Sequence, residues 1–569
     1  MKSVEIAQIF RDIAKILEIK GGNVFRVRAY ERAAQNIEGL PNLLEKYVKE
    51  DRLQEIPGIG KDLADRIKEY DATGKIQVLE DLKKSIPEGL LELLKVPSIG
   101  PKTAKLLFDE LKIKGIEDLE KAIEKNKLSG LPGIKEKTIE NILKGIAIVK
   151  RGQERMTIAE ALIIADEFTA PLEKLPEVKK IATAGSLRRR KETVRDIDIL
   201  VISDKPKKVM DAFVGLAPVR EVLAHGETKS SVRTKRDIQV DCRVEENKSF
   251  GAALVYFTGS KNFNIKLRQS AIKKGLKINE YGVFRKDKFV CGKTEEEVFK
   301  ALGMSYVTPE LREDTGEIEL ALKGKLPRLV ELKDIKGDFH AHSTWSDGSN
   351  SIEEMAQAAI KLGYSYIAIT DHSQSLKVAN GLTLAELKKK RAEIERINKR
   401  LKDFRVLYGT EVDIDSQGNI DYPDKILSEF DIVIAAVHTG FKQSGTQLTK
   451  RTVSACKNKY VNIIAHPTGK LWGTREPYDI NLEELFEAAK DTNTALEINA
   501  FPQRLDLNDL SARRAKEMGI KLAIGTDSHS AQQLQSMHLG VSVARRGWLS
   551  PEDVINTLPL KNLLKTIKK

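Results

Sequence analysis

The first 150 positions of the chain carry apolar residues at helical spacing. The first 17 residues show the pattern, with apolar residues at Val4, Ile6, Ile9, Phe10, Ile13, Ile16 and Leu17. This period predicts helices throughout 1–150. One kind of turn recurs at 56–70, 96–110 and 131–145, where an apolar residue, a proline and a glycine-bearing turn precede an amphipathic helix. We therefore expect an all-helical region built on a repeated turn.

From residue 151 onward the pattern changes to short apolar runs. These runs predict strands at 179–185, 195–203, 236–244 and 253–259. Residues 262–315 are mixed and basic, and residues 316–334 have the composition of a connector. Beyond residue 335, short strands alternate with helices, which predicts an α/β unit around a parallel sheet. We expect a multidomain chain divided into 1–80, 81–150, 151–260, 261–315, a linker at 316–334, and 335–569.

Composition excludes several classes of protein. Apolar runs such as 432–437 are far shorter than the roughly 20 residues of a membrane span, so we expect no membrane partner. The first residues mix acidic with apolar side chains and lack a small-residue cleavage site, so we expect no signal peptide. Three widely spaced cysteines, Cys242, Cys291 and Cys456, exclude a disulfide framework and indicate a cytoplasmic protein.

The charge of the chain is uneven. The net charge is +13, and residues 1–316 contribute +10 of it, with 60 basic and 50 acidic side chains. A basic first half indicates a polyanionic partner. A lysine-rich, heat-tolerant surface is the alternative explanation.

The repeated glycine turns have the chemistry of phosphate-binding sites. A helix that follows such a turn exposes unpaired backbone N–H groups, which attract a phosphate. Gly58, Gly60 and Gly100 let a backbone approach closely, and Lys102 is a further candidate contact. The turns resemble the helix-hairpin-helix motif, which grips the DNA backbone without reading its sequence. An ordinary corner between two helices is the alternative, and the third copy is degenerate because Lys135 replaces its second glycine.

A cluster of acidic residues follows in the next region. Asp196 and Asp198 stand two apart on a predicted buried strand, so they face the same side. Such carboxylates repel each other unless a cation lies between them. Asp241 can supply a third carboxylate from a neighbouring strand, and three carboxylates suit a pair of Mg²⁺ ions. An exposed surface pair is the alternative explanation.

A phosphate-binding segment precedes these aspartates. Gly185 and Ser186 can cradle a phosphate, and the run Arg188, Arg189 and Arg190 can neutralise a triphosphate. The Gly-Ser turn followed by the paired aspartates resembles the nucleotidyltransferase signature. Residues 256–268, YFTGSKNFNIKLR, resemble the nucleotide-binding segment of DNA polymerase beta. With the helix-hairpin-helix repeats, residues 1–315 resemble a family X DNA polymerase.

The resemblance implies four domains and a set of contacts. The domains would be a helical gap-binding domain (1–80), a second helical DNA-binding domain (81–150), an α+β nucleotidyltransferase palm (151–260) and a small α+β nucleotide-binding thumb (261–315). Asp196, Asp198 and Asp241 would hold two Mg²⁺ or Mn²⁺ ions. Gly185, Ser186 and Arg189 would bind the phosphates of the incoming nucleotide. The other contacts would be Gly259 and Ser260 to the sugar-phosphate, Tyr256 and Phe257 to the ribose, Asn264 to the base, and Arg268 to the template strand.

The sequence departs from the family pattern at several positions. Gln239 stands where polymerase beta has an arginine, and Lys261 stands where it has an aspartate. The family's deoxyribose-phosphate lyase uses a lysine amine, but the matching positions here are Asp62 and Arg66. A guanidinium stays protonated and cannot form a Schiff base. The nearest substitutes are Lys61 and Lys68, and we expect no efficient lyase.

Histidines concentrate in the last third of the chain. Seven of the eight lie after residue 339, and six of these directly follow short apolar strands. Side chains at the carboxyl ends of parallel strands converge on one face of a barrel. Nine groups are too many for one ion and suit two or three of Mn²⁺, Zn²⁺ or Fe; a lone strand-end histidine is more often structural. The nine are His340, His342, Asp347, His372, Glu411, His438, His466, Asp527 and His529.

Residues 335–569 resemble the PHP (polymerase and histidinol phosphatase) domain. The shared motifs are HxH, SDG, TDH, GTE, two later histidines and GTDSH. The resemblance implies a distorted (β/α)7 barrel with a metal-dependent phosphoesterase site, with Mn²⁺ or Zn²⁺ as the metal and His340 and His342 among the catalytic ligands. Arg475 and Arg504 lie in loops after strands and are candidate contacts to substrate phosphate.

Together the resemblances imply a DNA repair polymerase with a second active site. Its substrates would be gapped or primer–template DNA and dNTPs, and it would act as a monomer. The barrel would trim 3′ ends as a 3′–5′ exonuclease and cut at abasic sites. Two rivals are a polymerase fused to a small-molecule phosphatase, and a DNA-binding repair scaffold with weak catalysis.

Overall fold

A computed structural model describes residues 2–20, 22–38, 44–56, 58–86, 90–94, 96 and 99–566. Up to Glu154 it contains helices and short turns, as the apolar period predicts. The helices are α1 Lys2–Ile19, α2 Val24–Glu38, α3 Leu44–Lys49, α4 Lys61–Thr73, α5 Gln77–Lys84, α6 Leu90–Leu93, α7 Pro101–Leu111, α8 Ile116–Glu124 and α9 Glu136–Glu154. They form two apolar cores, one within residues 6–79 and the other within 90–149.

The region expected to form the palm is a mixed sheet covered by helices. Its elements are β1 Met156–Thr157, α10 Ile158–Glu173, β2 Lys180–Thr183, α11 Gly185–Arg188, β3 Thr193–Val194, β4 Asp196–Ile202, α12 Pro206–Val214, β5 Val219–His225, β6 Lys229–Thr234 and β7 Gln239–Glu245. The main sheet has the order β2-β4-β7-β6-β5. Only β4 and β7 are parallel neighbours in it. Three of the predicted strands, at 179–185, 195–203 and 236–244, are confirmed.

The fourth predicted strand, at 253–259, is wrong, because this segment belongs to helix α13, Phe250–Thr258. Periodicity alone cannot separate a short buried strand from a buried helix, and this run is apolar on nearly every face. Gly251 lets the helix pack against the backbone of Thr294, where a Cβ atom would clash. The helix ends at Gly259, whose φ of +69° favours glycine.

The thumb combines helices with a small antiparallel sheet. Its elements are α14 Lys261–Ile272, β8 Lys277–Asn279, β9 Gly282–Arg285, β10 Lys288–Cys291 and α15 Glu295–Ala301, with the strands in the order β10-β9-β8. The expected linker at 316–334 contains a further helix, α16 Glu317–Leu322. Ile318 and Ala321 of this helix lie in the apolar core of the thumb.

The last region forms the expected barrel of seven parallel strands. The strands are β11 Gly337–Asp338, β12 Tyr366–Ile369, β13 Arg405–Asp413, β14 Ile432–Ala436, β15 Ile463–Ile464, β16 Ala495–Asn499 and β17 Leu522–Gly525. They pair in sequence order, and a bridge between Ala341 and Ser528 brings the two ends together. Nearly all their residues are buried, which explains the continuous apolar runs in the sequence.

Helices surround the barrel strands. They are α17 Ile352–Lys361, α18 Leu384–Arg400, α19 Asp424–Leu427, α20 Gly445–Lys457, α21 Leu482–Thr492, α22 Asp509–Glu517, α23 Met537–Arg546 and α24 Leu560–Thr566. Several begin at capping boxes, as α17 does at Ser351 and Glu354. In the part of the chain that the structure describes, no helix combines the length and apolarity needed to span a membrane.

Two candidate active sites

The three aspartates of the palm lie together on adjacent strands. In the parallel pairing of β4 with β7, Asp198 stands opposite Asp241, and Asp196 stands opposite Gln239. Burial, and then repulsion by Asp196 and Asp241, raises the pKa of Asp198 to about 6. Gln239 Nε2 donates to Asp241 at 3.1 Å, so it contacts this carboxylate without adding charge. The crowded carboxylates fit divalent cations, which would relieve their repulsion.

The Gly-Ser turn lies directly against the carboxylate of Asp198. Gly185 begins α11 with a φ of +62°. A Cβ atom at this position would overlap Asp198 Oδ2, so a side chain here would displace the carboxylate. Ser186 follows in the first turn of the helix and is half-buried. Close approach, as well as a left-handed backbone, therefore requires glycine at position 185.

The three consecutive arginines have different surroundings. Arg188 forms a bidentate ion pair with Glu295, with distances of 2.6 and 2.7 Å, and so joins the palm to the thumb. Arg189 donates from Nε to Glu313 at 3.0 Å and from Nη1 to the carbonyl of Thr258. The charge of Arg189 offsets part of the rise in the pKa of Asp198 that burial and the other two aspartates cause. Burial lowers the pKa of Arg190.

The segment resembling polymerase beta folds over the same region. On α13, the rings of Tyr256 and Phe257 meet edge to face at 5.0 Å. Asn264 Nδ2 donates to the carbonyl of Tyr256 at 2.7 Å, which holds the amide against this helix. Arg189 Nη1 lies 3.1 Å from where a Cβ on Gly259 would stand, so the arginine and this turn are adjacent.

The start of α14 completes this segment. Ser260 is the N-cap of α14 and accepts from the N–H of Phe263 at 3.3 Å. Lys261 is exposed in the first turn of the helix, and Arg268 is half-buried two turns further on. The structure therefore places Tyr256 and Phe257 on α13 and Asn264 and Arg268 on α14, with Gly259 and Ser260 between the two helices.

The glycine turns have the geometry expected of them in the described residues; Pro57 and Pro97 lie outside these residues. Gly58 has a φ of +77°. Gly60 and Gly100 are the N-caps of α4 and α7, and neither helix has a side-chain cap. Open space surrounds both positions, so a phosphate can approach. Lys102 is exposed in the first turn of α7.

The two positions matched to the family's lyase carry no amine, and one of the two substitute lysines is paired. Arg66 pairs with Asp62 at 3.0 Å. Lys68 pairs with Asp51 at 2.5 Å, and this hydrogen bond raises the pKa of Lys68. A lysine held in its protonated form is a poor nucleophile.

All nine ligand candidates of the barrel converge at the carboxyl ends of its strands. Within the described residues, three groups have donor atoms close enough to share an ion: His342 with Asp347, His372 and His529; His340 with His342 and Asp527; and His372 with Glu411 and His438. The ninth residue, His466, places its Nε2 3.0 Å from Glu411 Oε1. Shared residues link the groups into one cluster, as expected for two or three neighbouring ions.

The cluster has the properties of a metal site. His340 Nε2, both ring nitrogens of His342 and Glu411 Oε2 are buried without a hydrogen-bond partner. Burial, and then the neighbouring His529 and His372, lowers the pKa of His342 to about 4, so its imidazole is neutral. Burial opposes ionisation of Glu411, yet the adjacent histidines hold its pKa well below the usual value. Unpaired ring nitrogens and ionised carboxylates that point into one buried space are ligands of the kind that divalent metal ions take.

Three residues that the sequence did not single out support the ligands. Glu497 Oε1 lies 2.7 Å from His340 Nδ1, and its Oε2 accepts from the N–H of His466 at 2.6 Å. Asp413 Oδ1 lies 3.1 Å from His438 Nδ1. Asn499 donates to Asp527 at 3.2 Å. Such partners fix the tautomer and direction of a ligating imidazole. A charged residue inside the apolar strand TALEINA was the available signal for Glu497.

The two candidate phosphate contacts of the barrel also lie near the cluster. Arg504 Nε donates to Asp527 Oδ2 at 3.1 Å, while its buried Nη1 has no hydrogen-bond partner. Arg475 lies over the ring of Phe441, with its guanidinium carbon 4.0 Å from the centroid. Burial and then the charge of Arg504 lower the pKa of Arg475, so the two guanidinium groups are neighbours.

Comparison with known domain families matches four segments of the chain. Residues 1–76 match a helix-hairpin-helix domain, and residues 90–147 match a SAM-like helix-hairpin-helix tandem. Residues 253–313 match the DNA polymerase beta thumb, and residues 338–501 match the PHP domain. These matches define the class as a beta-type DNA polymerase joined to a PHP domain, which confirms both resemblances.

Similarity to individual proteins narrows the class. The chain is 42% identical over 573 residues to the DNA polymerase/3′-5′ exonuclease PolX of Bacillus subtilis (strain 168), and the match covers 100% of both chains. The chain is also 31% identical over 231 residues to a probable phosphatase of Thermoanaerobacter sp. (strain X514), a match that covers 39% of this chain and 89% of that protein. The chain belongs to the PolX family of DNA polymerase/3′-5′ exonucleases. Membership implies dependence on divalent metal ions.

Proposed function

We propose that this chain is a repair enzyme that fills short DNA gaps at the palm and trims primer 3′ ends at the barrel. DNA polymerase activity with a 3′–5′ exonuclease is the activity of its family. The observation that carries the proposal is that two separate groups of ligand-type side chains occur in the chain. One is the three aspartates on β4 and β7, with Asp198 against Gly185, and the other is the nine side chains at the barrel mouth. Gapped or primer–template DNA and dNTPs are its substrates, and it acts as a cytoplasmic monomer.

In the palm, Asp196, Asp198 and Asp241 would hold two Mg²⁺ or Mn²⁺ ions. Bound there, the ions would stabilise charge on the attacking and leaving oxygens of an in-line displacement. Asp241 orients the primer 3′-OH and takes its proton. The 3′ oxygen then bonds to the α-phosphorus as pyrophosphate leaves. Arg189 and Ser186 hold the departing phosphates, which places the reacting atoms in line.

The nucleotide is selected by the segment at the junction of palm and thumb. Tyr256 and Phe257 line the pocket for the ribose and disfavour a nucleotide that carries a 2′-OH. Gly259 and Ser260 border the sugar-phosphate, Asn264 contacts the base edge, and Arg268 contacts the template strand. The helix-hairpin-helix turns at Gly58, Gly60 and Gly100, together with Lys102, grip the DNA backbone through phosphates, independently of sequence.

At the barrel, the six histidines, Asp347, Glu411 and Asp527 would hold two or three Mn²⁺ or Zn²⁺ ions. Bound there, the ions would activate water and polarise the phosphodiester. Arg475 and Arg504 bind the non-bridging oxygens of the substrate phosphate, and Glu497 and Asp413 keep the imidazoles in place. The same site cuts at abasic positions, and the chain has no efficient 5′-deoxyribose-phosphate lyase, because Asp62 and Arg66 stand where the family has its lysine amine.

A small-molecule phosphatase is the second candidate for the barrel. The observation favouring it is the match to a relative named a probable phosphatase, which covers 89% of that protein. If the barrel is a 3′–5′ exonuclease, the intact chain must shorten DNA primers. Hydrolysis of small phosphate esters without trimming of DNA would favour the second.

The test is a labelled primer on a one-nucleotide gap, with Mg²⁺ or Mn²⁺, with and without dNTPs. We expect Asp198→Ala to abolish extension while shortening continues. The double variant His340→Ala/His342→Ala should show the reverse. His538→Ala is the matched control, because this exposed barrel histidine contacts Gln535 and lies outside the cluster. Loss of both activities in either active-site variant, with folding intact, would contradict two separate sites.

A further inference from the structure

The end of helix α23 of the barrel contacts the palm at Arg189 and the thumb at Glu313. Arg546, the last residue of this helix, is 6% exposed. Its Nη1 donates to the backbone carbonyl of Arg189 at 2.8 Å and to Glu313 Oε1 at 3.1 Å. Its Nη2 donates to Asp509 Oδ2 on α22 at 2.5 Å. One guanidinium therefore joins two barrel helices, the palm and the thumb.

Glu313 joins this guanidinium to that of Arg189. The same oxygen, Glu313 Oε1, accepts from Arg189 Nε at 3.0 Å and from Arg546 Nη1 at 3.1 Å. The carboxylate thus lies between two cations and restrains both. Arg189 is consequently held at its backbone by the barrel and at its side chain by the thumb.

A second contact from the barrel holds the same palm loop. Lys470 Nζ donates to Glu192 Oε2 at 2.8 Å and to the carbonyl of Leu505 at 3.0 Å. Residues 189–192 are therefore fastened to the barrel at both ends, by Arg546 and by Lys470. A loop tied at two points by charged groups has fewer conformations than one held by its own strand ends.

We propose that Arg546 is a positioning residue for nucleotide binding at the polymerase site, acting through Glu313 and the backbone of Arg189. The proposal rests on the proposed contact between Arg189 and the phosphates of the incoming nucleotide. A long arginine side chain loses rotamer freedom when it binds, and fixing it beforehand removes that cost from the binding step. The barrel thereby supports nucleotide addition as well as carrying its own chemistry.

The experiment measures single-turnover nucleotide addition on gapped DNA as a function of dNTP concentration. We expect Arg546→Ala to raise the apparent Kd for dNTP about tenfold, the effect of losing one charge-assisted hydrogen bond. The maximal rate should change much less, because nucleotide binding is the step affected. Glu313→Gln keeps an acceptor but loses the charge, and should raise the Kd by a smaller factor.

The matched control is Arg545→Ala. Arg545 precedes Arg546 on α23 and also pairs with the thumb, through Glu310 at 2.8 Å, but its hydrogen bonds and ion pair do not involve Arg189. We expect this variant to keep the wild-type Kd. Shortening of a labelled primer without dNTPs serves as the folding check, and all the variants should retain it.

Several outcomes would overturn the proposal. An equal rise in Kd for Arg545→Ala and Arg546→Ala would mean general loosening of the interface. If Arg189→Ala raises the Kd but Arg546→Ala and Glu313→Gln do not, the phosphate contact stands and the positioning role fails. If Arg189→Ala leaves the Kd unchanged, the proposed phosphate contact fails and the positioning role fails with it. Should Arg546→Ala not fold, an unchanged Kd in Glu313→Gln would be decisive against the proposal.

Discussion

Replacing Gly185 with alanine should slow nucleotide addition and leave primer shortening unchanged, because the added methyl group would clash with Asp198. Gly185 has a φ of +62°, and a Cβ atom there would overlap Asp198 Oδ2. To restore the 3.0 Å that real Cβ contacts respect, the carboxylate must shift by more than half an ångström. The left-handed backbone adds about 1–2 kcal/mol of strain. Because misplacing a catalytic group by about 1 Å can cost about 100-fold, we expect nucleotide addition to slow by about that factor.

The control for this prediction is Gly275→Ala in the thumb. Gly275 has a φ of +66°, and an added Cβ would meet nothing within 4 Å. It therefore carries the same backbone strain without the clash. Single-nucleotide addition and primer shortening should be measured on the same preparations, and both variants should shorten primers at the wild-type rate. Wild-type extension by Gly185→Ala, or an equal loss in Gly275→Ala, would refute the reasoning.

Three further predictions test other parts of the chain. Glu497→Gln should slow primer shortening about 10- to 100-fold and spare extension, because His340 loses its orienting carboxylate; unchanged shortening would contradict that role. Burial opposes ionisation of Glu295, but its ion pairs with Arg188 and Arg312 outweigh burial and lower its pKa to about 2. The lowered pKa contributes about 3 kcal/mol to the free energy of unfolding. This contribution is fully present above about pH 4.5 and is lost as the pH falls through about 2. The difference in free energy of unfolding between wild type and Glu295→Gln should therefore narrow over that range, and a constant difference would count against the assignment. Borohydride trapping on 5′-deoxyribose-phosphate DNA should give no adduct at Lys68, because its hydrogen bond to Asp51 raises the pKa of the amine; an adduct at that residue would reverse the conclusion.

The palm shows where local pattern suffices and where it fails. Asp196 and Asp198 could be assigned to one face because alternation along a strand is a local property. Their pairing with Asp241 required only that one further strand lie next to β4, and it does. The run at 253–259 misled because it is apolar on nearly every face and periodicity is then uninformative. In the structure this helix is buried on two sides, against the palm and against the thumb, and such packing is not visible in the local sequence.

In the barrel, too, local sequence pattern predicted some features of the site and missed others. Strand-end histidines predict a converging cluster, because parallel strands of one sheet present their carboxyl ends at one edge. Glu497 was missed because a single carboxylate within an apolar strand has no repeating pattern. Its partner His340 lies 157 positions earlier in the chain. The support it gives to the imidazole exists only after the barrel has closed.

The sequence by itself determined the helical turns, the paired carboxylates and the nine ligand candidates, because each depends on residue type and on spacing within one element. Tertiary structure alone decided how those elements are joined. Arg188 pairs with Glu295 across 107 positions, and Arg546 contacts the carbonyl of Arg189 across 357. Contacts between such distant residues depend on how whole domains pack, and no local period encodes them.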